Sequence, residues 1–99
     1  MIAKLEQFYN KNQFIIYDSK TVIFQSYAST IAKIDKTKRT LTLYADWDYS
    51  NTTRKHLYLF LNDYAIFINN IMDELNYTSN KRAYIQKLID NKTIKYINK

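Results

Sequence analysis

Residues 35–44 read DKTKRTLTLY, a turn followed by a strand. Asp35 can accept hydrogen bonds from the backbone of its own turn, and the residues after Arg39 alternate strictly between polar and apolar. A long apolar run over residues 21–34 precedes the turn, so we predict a central hairpin that pairs 21–34 with 40–47. Alternation on the second strand turns one set of side chains toward the core: Leu41, Leu43, Ala45 and Trp47.

The predicted strand 21–34 is unusual because both of its faces carry apolar residues. Such a pattern indicates a strand that is partly covered on both sides, or one that is kinked near Ser26. The first face holds Val22, Phe24, Ala28, Ala32 and Ile34, and the second holds Ile23, Tyr27 and Ile31.

On the N-terminal side of the hairpin, residues 14–17 form a β-branched and aromatic run that is typical of a strand. A turn follows at residues 18–20. Residues 2–10 space their apolar side chains at about three residues and predict a short helix that needs tertiary support.

On the C-terminal side, Ser50 is a good N-cap for an amphipathic helix. Core-facing spacing continues over residues 57–75, and weak helix formers at 62–63 and 69–70 allow a break. Thr78 or Ser79 can cap a second helix that runs from residue 80 to residue 89. Asn91 can take the left-handed conformation, and residues 93–97 predict a terminal strand. The expected class is α+β, a small antiparallel sheet packed by two or three helices in one domain, 1–99.

Composition excludes several classes of function. The 99 residues contain no Gly, no Cys and one His. Without Gly, neither a P-loop nor a dinucleotide-binding loop can form, and without Cys the usual structural zinc sites are absent. No apolar run approaches the length of a membrane span, and the N-terminus lacks the form of a signal peptide. We therefore expect an intracellular protein with no cofactor and no bound metal, and not an enzyme.

Asp46, Asp48 and His56 are the one group with catalytic or metal-binding potential. Two carboxylates at a strand end and a nearby imidazole could form an oxygen and nitrogen ligand set. The structural interpretation is favoured, because acidic residues before a helix stabilise its positive end. Ser50 with His56 is a weaker nucleophile–base pair, since Ser50 is expected to cap the helix.

Residues 48–54, DYSNTTR, form a dense polar cluster at the junction between strand and helix. One interpretation is a capping network in which Asp48 also holds Arg54, and the alternative is a recognition surface around an exposed Tyr49. The chain has 10 Tyr, more than its core can hold. Those expected on the surface are Tyr9, Tyr17, Tyr27, Tyr49, Tyr58 and Tyr77. The candidate partner-binding residues are Tyr27, Tyr44, Asp46, Asp48, Tyr49 and Arg54.

The formal net charge is +6, and it lies at the two ends of the sequence. A basic surface could bind phosphates with salt-dependent affinity. The alternative explanations are a solvated rim or the codon bias of an AT-rich genome. The candidate nucleic-acid-binding residues are Lys36, Lys38, Arg39, Lys81, Arg82, Lys87, Lys92 and Lys95.

Two segments resemble a family of small phage and prophage proteins of unknown function. Residues 26–34 read SYASTIAKI and residues 47–61 read WDYSNTTRKHLYLFL. They are similar to the family's patterns Ser-Tyr-x-Ser/Thr-x-Ile-Ala and Asp-Tyr-Ser-x-Thr-Thr-x-Lys/Arg-His/Tyr-Leu-x-x-Phe-Leu. Residues 84–94 also look similar, with Asn91 where members often have Gly. The resemblance implies no activity; it implies a small accessory protein of a phage or mobile element, acting in the bacterial host cytoplasm.

Three hypotheses follow. The first is a non-enzymatic protein that binds and occludes a host protein, in its concrete form an inhibitor of a bacterial defence system such as a CRISPR effector or another nuclease. A homodimer is compatible with the small size of the chain. The second is a basic nucleic-acid-binding accessory protein. The third is a metal-dependent enzyme that uses Asp46, Asp48 and His56.

Overall fold

The computed structural model describes residues 4–8, 10–27 and 29–98. They form one six-stranded sheet whose strands follow the order of the chain, with three α-helices, so the α+β class is confirmed. The strands are β1 Lys4–Phe8, β2 Asn10–Tyr17, β3 Thr21–Ser26, β4 Ser29–Asp35, β5 Thr40–Tyr44 and β6 Lys95–Ile97. The helices are α1 Asn51–Asp63, α2 Asn69–Leu75 and α3 Lys81–Asp90, with 3-10 turns at Ala45–Asp48 and Ala65–Phe67.

The first five strands are an antiparallel meander, but β6 runs parallel to β5, with Leu43 opposite Tyr96. The sheet is therefore mixed rather than purely antiparallel. A parallel pair needs a long crossover. Here the crossover contains all three α-helices. Each helix of the described residues is too short or too polar to cross a membrane.

The predicted strand 21–34 is wrong as a single element, because the chain reverses direction at Tyr27. Tyr27 has a φ of 54°, and its N–H donates to the carbonyl of Asn12 at 2.6 Å. The segment is therefore two paired strands, β3 and β4, and the expected kink near Ser26 is a complete turn. The register shifts between Phe24 and Gln25, so Ile31 is an extra residue in β4. Ile31 and the next residue, Ala32, are both buried. This bulge explains why apolar residues occur at both odd-numbered and even-numbered positions of the segment.

The central hairpin is confirmed over β4 and β5, and it is shorter than predicted. Asp35 accepts hydrogen bonds from the N–H groups of Thr37 and Lys38 at 3.0 and 2.9 Å, as its place in the turn predicts. The second strand ends at Tyr44, since residues 45–48 turn into a 3-10 helix. Leu41, Leu43 and Trp47 lie in the core as predicted, and Ala45 is half-buried.

The N-terminal helix predicted over residues 2–10 is wrong where the structure describes that segment. Lys4–Phe8 is a strand that pairs with β2, with Leu5 opposite Ile16. Pairing with an existing strand stabilises an extended segment whose helical preference is weak. The expectations for Tyr9 and Ala28 lie outside the described residues.

Two of the predicted helix ends differ in the structure. Ser50 caps α1 as predicted, since its hydroxyl accepts from the N–H of Thr53 at 3.1 Å. The cap of α3 is Asn80, whose side chain accepts from the N–H of Ala83 at 3.0 Å, and not Thr78 or Ser79. At the end of α3 the left-handed residue is Lys92, with φ 67°, and Asn91 has a negative φ.

The core lies between one face of the sheet and the helices. Phe24 of β3 stacks on Phe60 of α1, with ring centroids 5.6 Å apart. The ring centroid of Tyr64 lies 5.2 Å from that of Phe60. The predicted break after α1 falls at residues 64–68, and Ile68 remains fully buried there. Side chains that point to the opposite face of the sheet, such as Ile23, are half-buried or exposed.

Candidate functional site

A pocket of about 610 Å³ opens where the β3–β4 turn meets the start of α1. Its size is within the range of pockets that bind small molecules or single side chains. Five of the described lining residues are serines or threonines, which carry hydroxyl groups. They are Ser26, Ser29, Ser50, Thr52 and Thr53.

Two exposed tyrosines, Tyr27 and Tyr49, also line the pocket. Tyr27 is 68% exposed and Tyr49 is 79% exposed. Tyr27 projects from the left-handed turn between β3 and β4, while Tyr49 precedes the N-cap of α1. The N–H of Tyr49 donates to the carbonyl of Asp46 at 3.1 Å, so the 3-10 turn holds this ring beside the pocket.

Gln13 lines the pocket from β2 and is only 3% exposed. Its Oε1 atom has no hydrogen-bond partner among the described residues. A buried carbonyl oxygen without a donor costs about 1–3 kcal/mol, and native structures contain few such atoms. A residue that lines the pocket therefore carries an acceptor that has no donor among the described residues.

Among the lining residues that the structure describes, Asp46 supplies the one charged side chain. It is half-buried, and neither ion pair found among the described residues involves it. Its carboxylate thus gives the pocket a negative charge that no neighbouring cation of the described structure neutralises.

Asp48, two residues further on, is in a different environment. Nε of Arg82 donates to both of its carboxylate oxygens at 2.8 and 2.7 Å, and Nη1 of Arg54 donates to one of them. The Arg82 bonds are the main cause of the lowered pKa of Asp48, and the same contact raises the pKa of Arg82. This network ties α3 and α1 to the 3-10 turn.

The six predicted partner-binding residues therefore lie in three different places. Tyr27, Asp46 and Tyr49 come together in the pocket. Asp48 and Arg54 form the predicted ion pair outside the lining. Tyr44 follows the buried Leu43 on β5, so it lies on the other face of the sheet and does not line the pocket.

The polar cluster at the start of α1 is a capping network, as the favoured interpretation predicts. The hydroxyl of Ser50 accepts from the N–H of Thr53 and lies 3.1 Å from the hydroxyl of Thr53. This occupies the group that would serve as a nucleophile with His56. Among the residues that the structure describes, no three His, Cys, Asp or Glu side chains are placed to hold a metal ion.

The eight basic candidates lie on three parts of the fold: the β4–β5 turn, α3 with the residues after it, and β6. Three of them have partners within the protein. Lys36 Nζ donates to the carbonyl of Asp18 at 2.8 Å, Lys81 Nζ donates to the carbonyl of Thr78 at 3.4 Å, and Arg82 binds Asp48. The others are exposed: Lys38, Arg39, Lys87, Lys92 and Lys95.

Three of the tyrosines predicted to be on the surface are exposed: Tyr27, Tyr49 and Tyr77, the last at 91%. Tyr17 and Tyr58 instead pack partly buried against the core. Burial is the main cause of the raised pKa of the Tyr58 hydroxyl. The sequence analysis did not identify Tyr96, which is exposed on β6.

Sequence reasoning did not identify Gln13, Ser26 or Ser29 as site residues, whereas Ser50, Thr52 and Thr53 belong to the polar cluster at residues 48–54. The two segments that carry the resemblance, 26–34 and 47–61, supply the whole lining except Gln13 and Asp46. Both segments carry the same resemblance, and this was the sequence signal that they contribute to one site. No local pattern marked Gln13, because its role arises from pairing with Ser26 across β2 and β3.

Residues 1–74 match a family of unknown function (DUF8033). The matched region contains every residue of the pocket and ends within α2. No curated protein and no solved structure matches the chain.

Proposed function

The chain belongs to the DUF8033 family of unknown function, and we propose that it is a non-enzymatic protein that binds another protein through the pocket beside Tyr27 and Tyr49. The observation that carries this proposal is the combination of two exposed tyrosine rings with a buried acceptor and a carboxylate for which the described residues supply no partner. Such a site gains both apolar contact and hydrogen bonds when a partner covers it.

Tyrosine suits a contact surface for a physical reason. Its ring buries a large area while only two side-chain torsions are ordered, and its hydroxyl can stay hydrated at the edge of an interface. Tyrosine is accordingly enriched in protein–protein interfaces relative to other surfaces. The mechanism that we propose is occlusion, in which the bound chain covers a functional surface of its partner.

The proposed context is that of a phage or mobile-element accessory protein in the cytoplasm of a bacterial host. Its support is the resemblance carried by residues 26–34 and 47–61, together with the small size of the chain. In this context the partner class is a host defence protein, such as a CRISPR effector or another nuclease. The resemblance implies the context, and the pocket supplies the contact surface.

Affinity capture from a bacterial lysate tests the proposal. The tagged chain is compared with a Tyr27→Ser/Tyr49→Ser variant and with Tyr77→Ser, a matched control on an exposed tyrosine outside the pocket. We expect the wild type and Tyr77→Ser to retain a stoichiometric protein that the double variant loses. Capture of no such protein, or equal capture by all three, would contradict the proposal. The mass of the purified chain in solution tests for a homodimer.

A second candidate function is nucleic-acid binding, favoured by the exposure of five basic side chains on the turn, α3 and β6. Phosphate contacts would make the affinity fall steeply as the salt concentration rises. A gel-retardation assay over a range of salt concentrations checks this, with Lys87→Gln/Lys92→Gln as the variant expected to reduce the slope. Absence of binding at low salt would remove this candidate.

A further inference from the structure

We propose that the pocket receives the guanidinium group of an arginine side chain from the partner. This inference rests on the proposed function, because the arginine belongs to the protein that the chain binds. It specifies the chemistry of the contact, and the pocket can be tested for that chemistry without the partner.

The unsatisfied groups of the pocket require a donor that carries positive charge. Gln13 Oε1 is a buried acceptor without a donor, and the Asp46 carboxylate is an anion without a cation among the described residues. A guanidinium has five N–H donors, no acceptor and a permanent positive charge. It can therefore donate to the amide oxygen and to the carboxylate together, and it leaves no acceptor of its own unsatisfied.

The exposed rings add a second reason. A guanidinium is planar and weakly hydrated, so it stacks on aromatic faces and gains cation–π energy there. Tyr27 and Tyr49 both line the pocket and are largely exposed before a partner binds. A volume of about 610 Å³ admits the end of an arginine side chain together with bridging water.

Other ligand chemistries fit the same groups less well. An anion such as a phosphate would meet the Asp46 carboxylate and the Gln13 oxygen, and no cation among the described lining residues would attract it. A lysine ammonium supplies positive charge, but it is compact and strongly hydrated, so it gains less from the rings. The chain as a whole is basic, yet residues 44–79, which include Asp46, contain two basic and five acidic residues.

Titration of the isotope-labelled chain with N-acetylarginine methylamide, followed by NMR, tests the inference. N-acetylcitrulline methylamide is the matched control, because it has nearly the same shape and no charge. We expect saturable shifts at Tyr27, Tyr49 and the Gln13 side-chain amide with the arginine compound, and binding at least about tenfold weaker with the citrulline compound. Equal binding of both compounds, or no saturable shift up to about 100 mM, would overturn the inference.

Two variants test whether the arginine compound binds at Asp46. Asp46→Asn should weaken binding of the arginine compound about tenfold, because it removes the charge and keeps the shape. Asp73→Asn, on an exposed position of α2 outside the pocket, should leave binding unchanged. Unchanged binding in Asp46→Asn would also overturn the inference, and thermal unfolding of both variants shows whether they are folded.

The lysate experiment separates failure of this inference from failure of the proposed function. Arginine binding without capture of any protein would support the pocket chemistry and contradict the proposed function. Capture that is equally strong with Asp46→Asn and with the wild type would support the proposed function and contradict the arginine contact.

Discussion

Among the residues that the structure describes, three that are not glycine adopt left-handed backbone: Tyr27, Arg39 and Lys92, with φ of 54°, 56° and 67°. Each places its Cβ close to a backbone oxygen, at a cost of about 1–2 kcal/mol. Arg39 and Lys92 close ordinary turns. Tyr27 differs from them because its strained position presents an exposed ring at the pocket. Strain of this kind is often retained where it positions a binding group.

Glycine substitutions at these positions separate the stability of the turns from binding. Arg39→Gly and Lys92→Gly should each raise the free energy of unfolding by about 0.5 kcal/mol, since relief of strain exceeds the added entropy of the unfolded chain. Tyr27→Gly should stabilise the fold similarly and lose the captured partner. Urea unfolding and lysate capture measure the two effects. Destabilisation by Arg39→Gly would contradict this account of the turn.

Gln13 is a second residue where stability and binding are opposed. Gln13→Met keeps the length of the side chain and removes a buried acceptor without a partner, so the free energy of unfolding should rise by about 1 kcal/mol. The same change should abolish the response of the pocket to the arginine compound. Thermal or urea unfolding together with the NMR titration checks both. A loss of stability would show that the amide of Gln13 is satisfied in the folded protein.

At the scale of the elements, one carboxylate joins α3 to the rest of the fold. Asp48 lies in the 3-10 turn after β5, and its partner Arg82 lies 34 residues later, in the first turn of α3. Arg54 approaches the same carboxylate from α1. The side chains of Asp48 and Arg54 are 21% and 20% exposed, so their ion pair is less screened by solvent than the pair with Arg82, which is 62% exposed.

The lowered pKa of Asp48 predicts how the stability of the protein depends on pH. A carboxyl whose pKa falls on folding stabilises the folded state above its unfolded pKa of 3.8, and this stabilisation is lost as the pH falls through the lower folded pKa. Asp48→Asn should therefore cost about 1 kcal/mol at pH 7 and much less near pH 2. Urea unfolding at both pH values measures the difference.

Asp73→Asn is the matched control for this experiment, because Asp73 is exposed on α2 and takes part in neither ion pair of the described structure. It should leave the unfolding free energy at pH 7 nearly unchanged. Some dependence on acid should persist in Asp48→Asn, since backbone N–H donors also lower the pKa of Asp18 and Asp35. Equal costs of Asp48→Asn at both pH values would contradict the role of the ion pair.

At the scale of the whole molecule, the sheet and the helices share one core that extends past the matched region. Ile85, Leu88 and Ile94 lie beyond residue 74 and are buried with the residues of β3 to β5. β6 also covers the edge of β5 through its parallel pairing. The pocket lies within residues 1–74, but the sheet that supports it is completed by the C-terminal residues.

A chain that ends at residue 79 should therefore lose cooperative unfolding. Removal of three buried aliphatic side chains sacrifices about 5–8 kcal/mol of apolar burial, which is comparable with the total stability of a small domain. Ile94→Ala should lower the free energy of unfolding by about 2–4 kcal/mol and leave a folded protein. Circular dichroism during urea unfolding distinguishes the two. Cooperative unfolding of the shortened chain would contradict a shared core.

Predictions from the sequence were accurate where the cause is local. The turn at Asp35, the cap at Ser50 and the alternation over residues 40–44 each depend on groups a few residues apart, and all are present in the structure. Errors occurred where a distant segment overrides a weak local preference. Residues 4–8 pair with β2 instead of forming a helix. The displacement of the left-handed residue from Asn91 to Lys92 is a different, local error of one position.

The sequence by itself determined the α+β class, the order of most elements and three of the pocket residues, Tyr27, Asp46 and Tyr49. Only the tertiary structure placed these three beside Gln13, separated them from Tyr44, and joined Asp48 to Arg82. The physical reason is the separation along the chain between the residues that interact. Hydrogen bonds within a turn or a cap are encoded by neighbouring residues, whereas a pocket depends on strand register and helix packing between segments that are far apart along the chain.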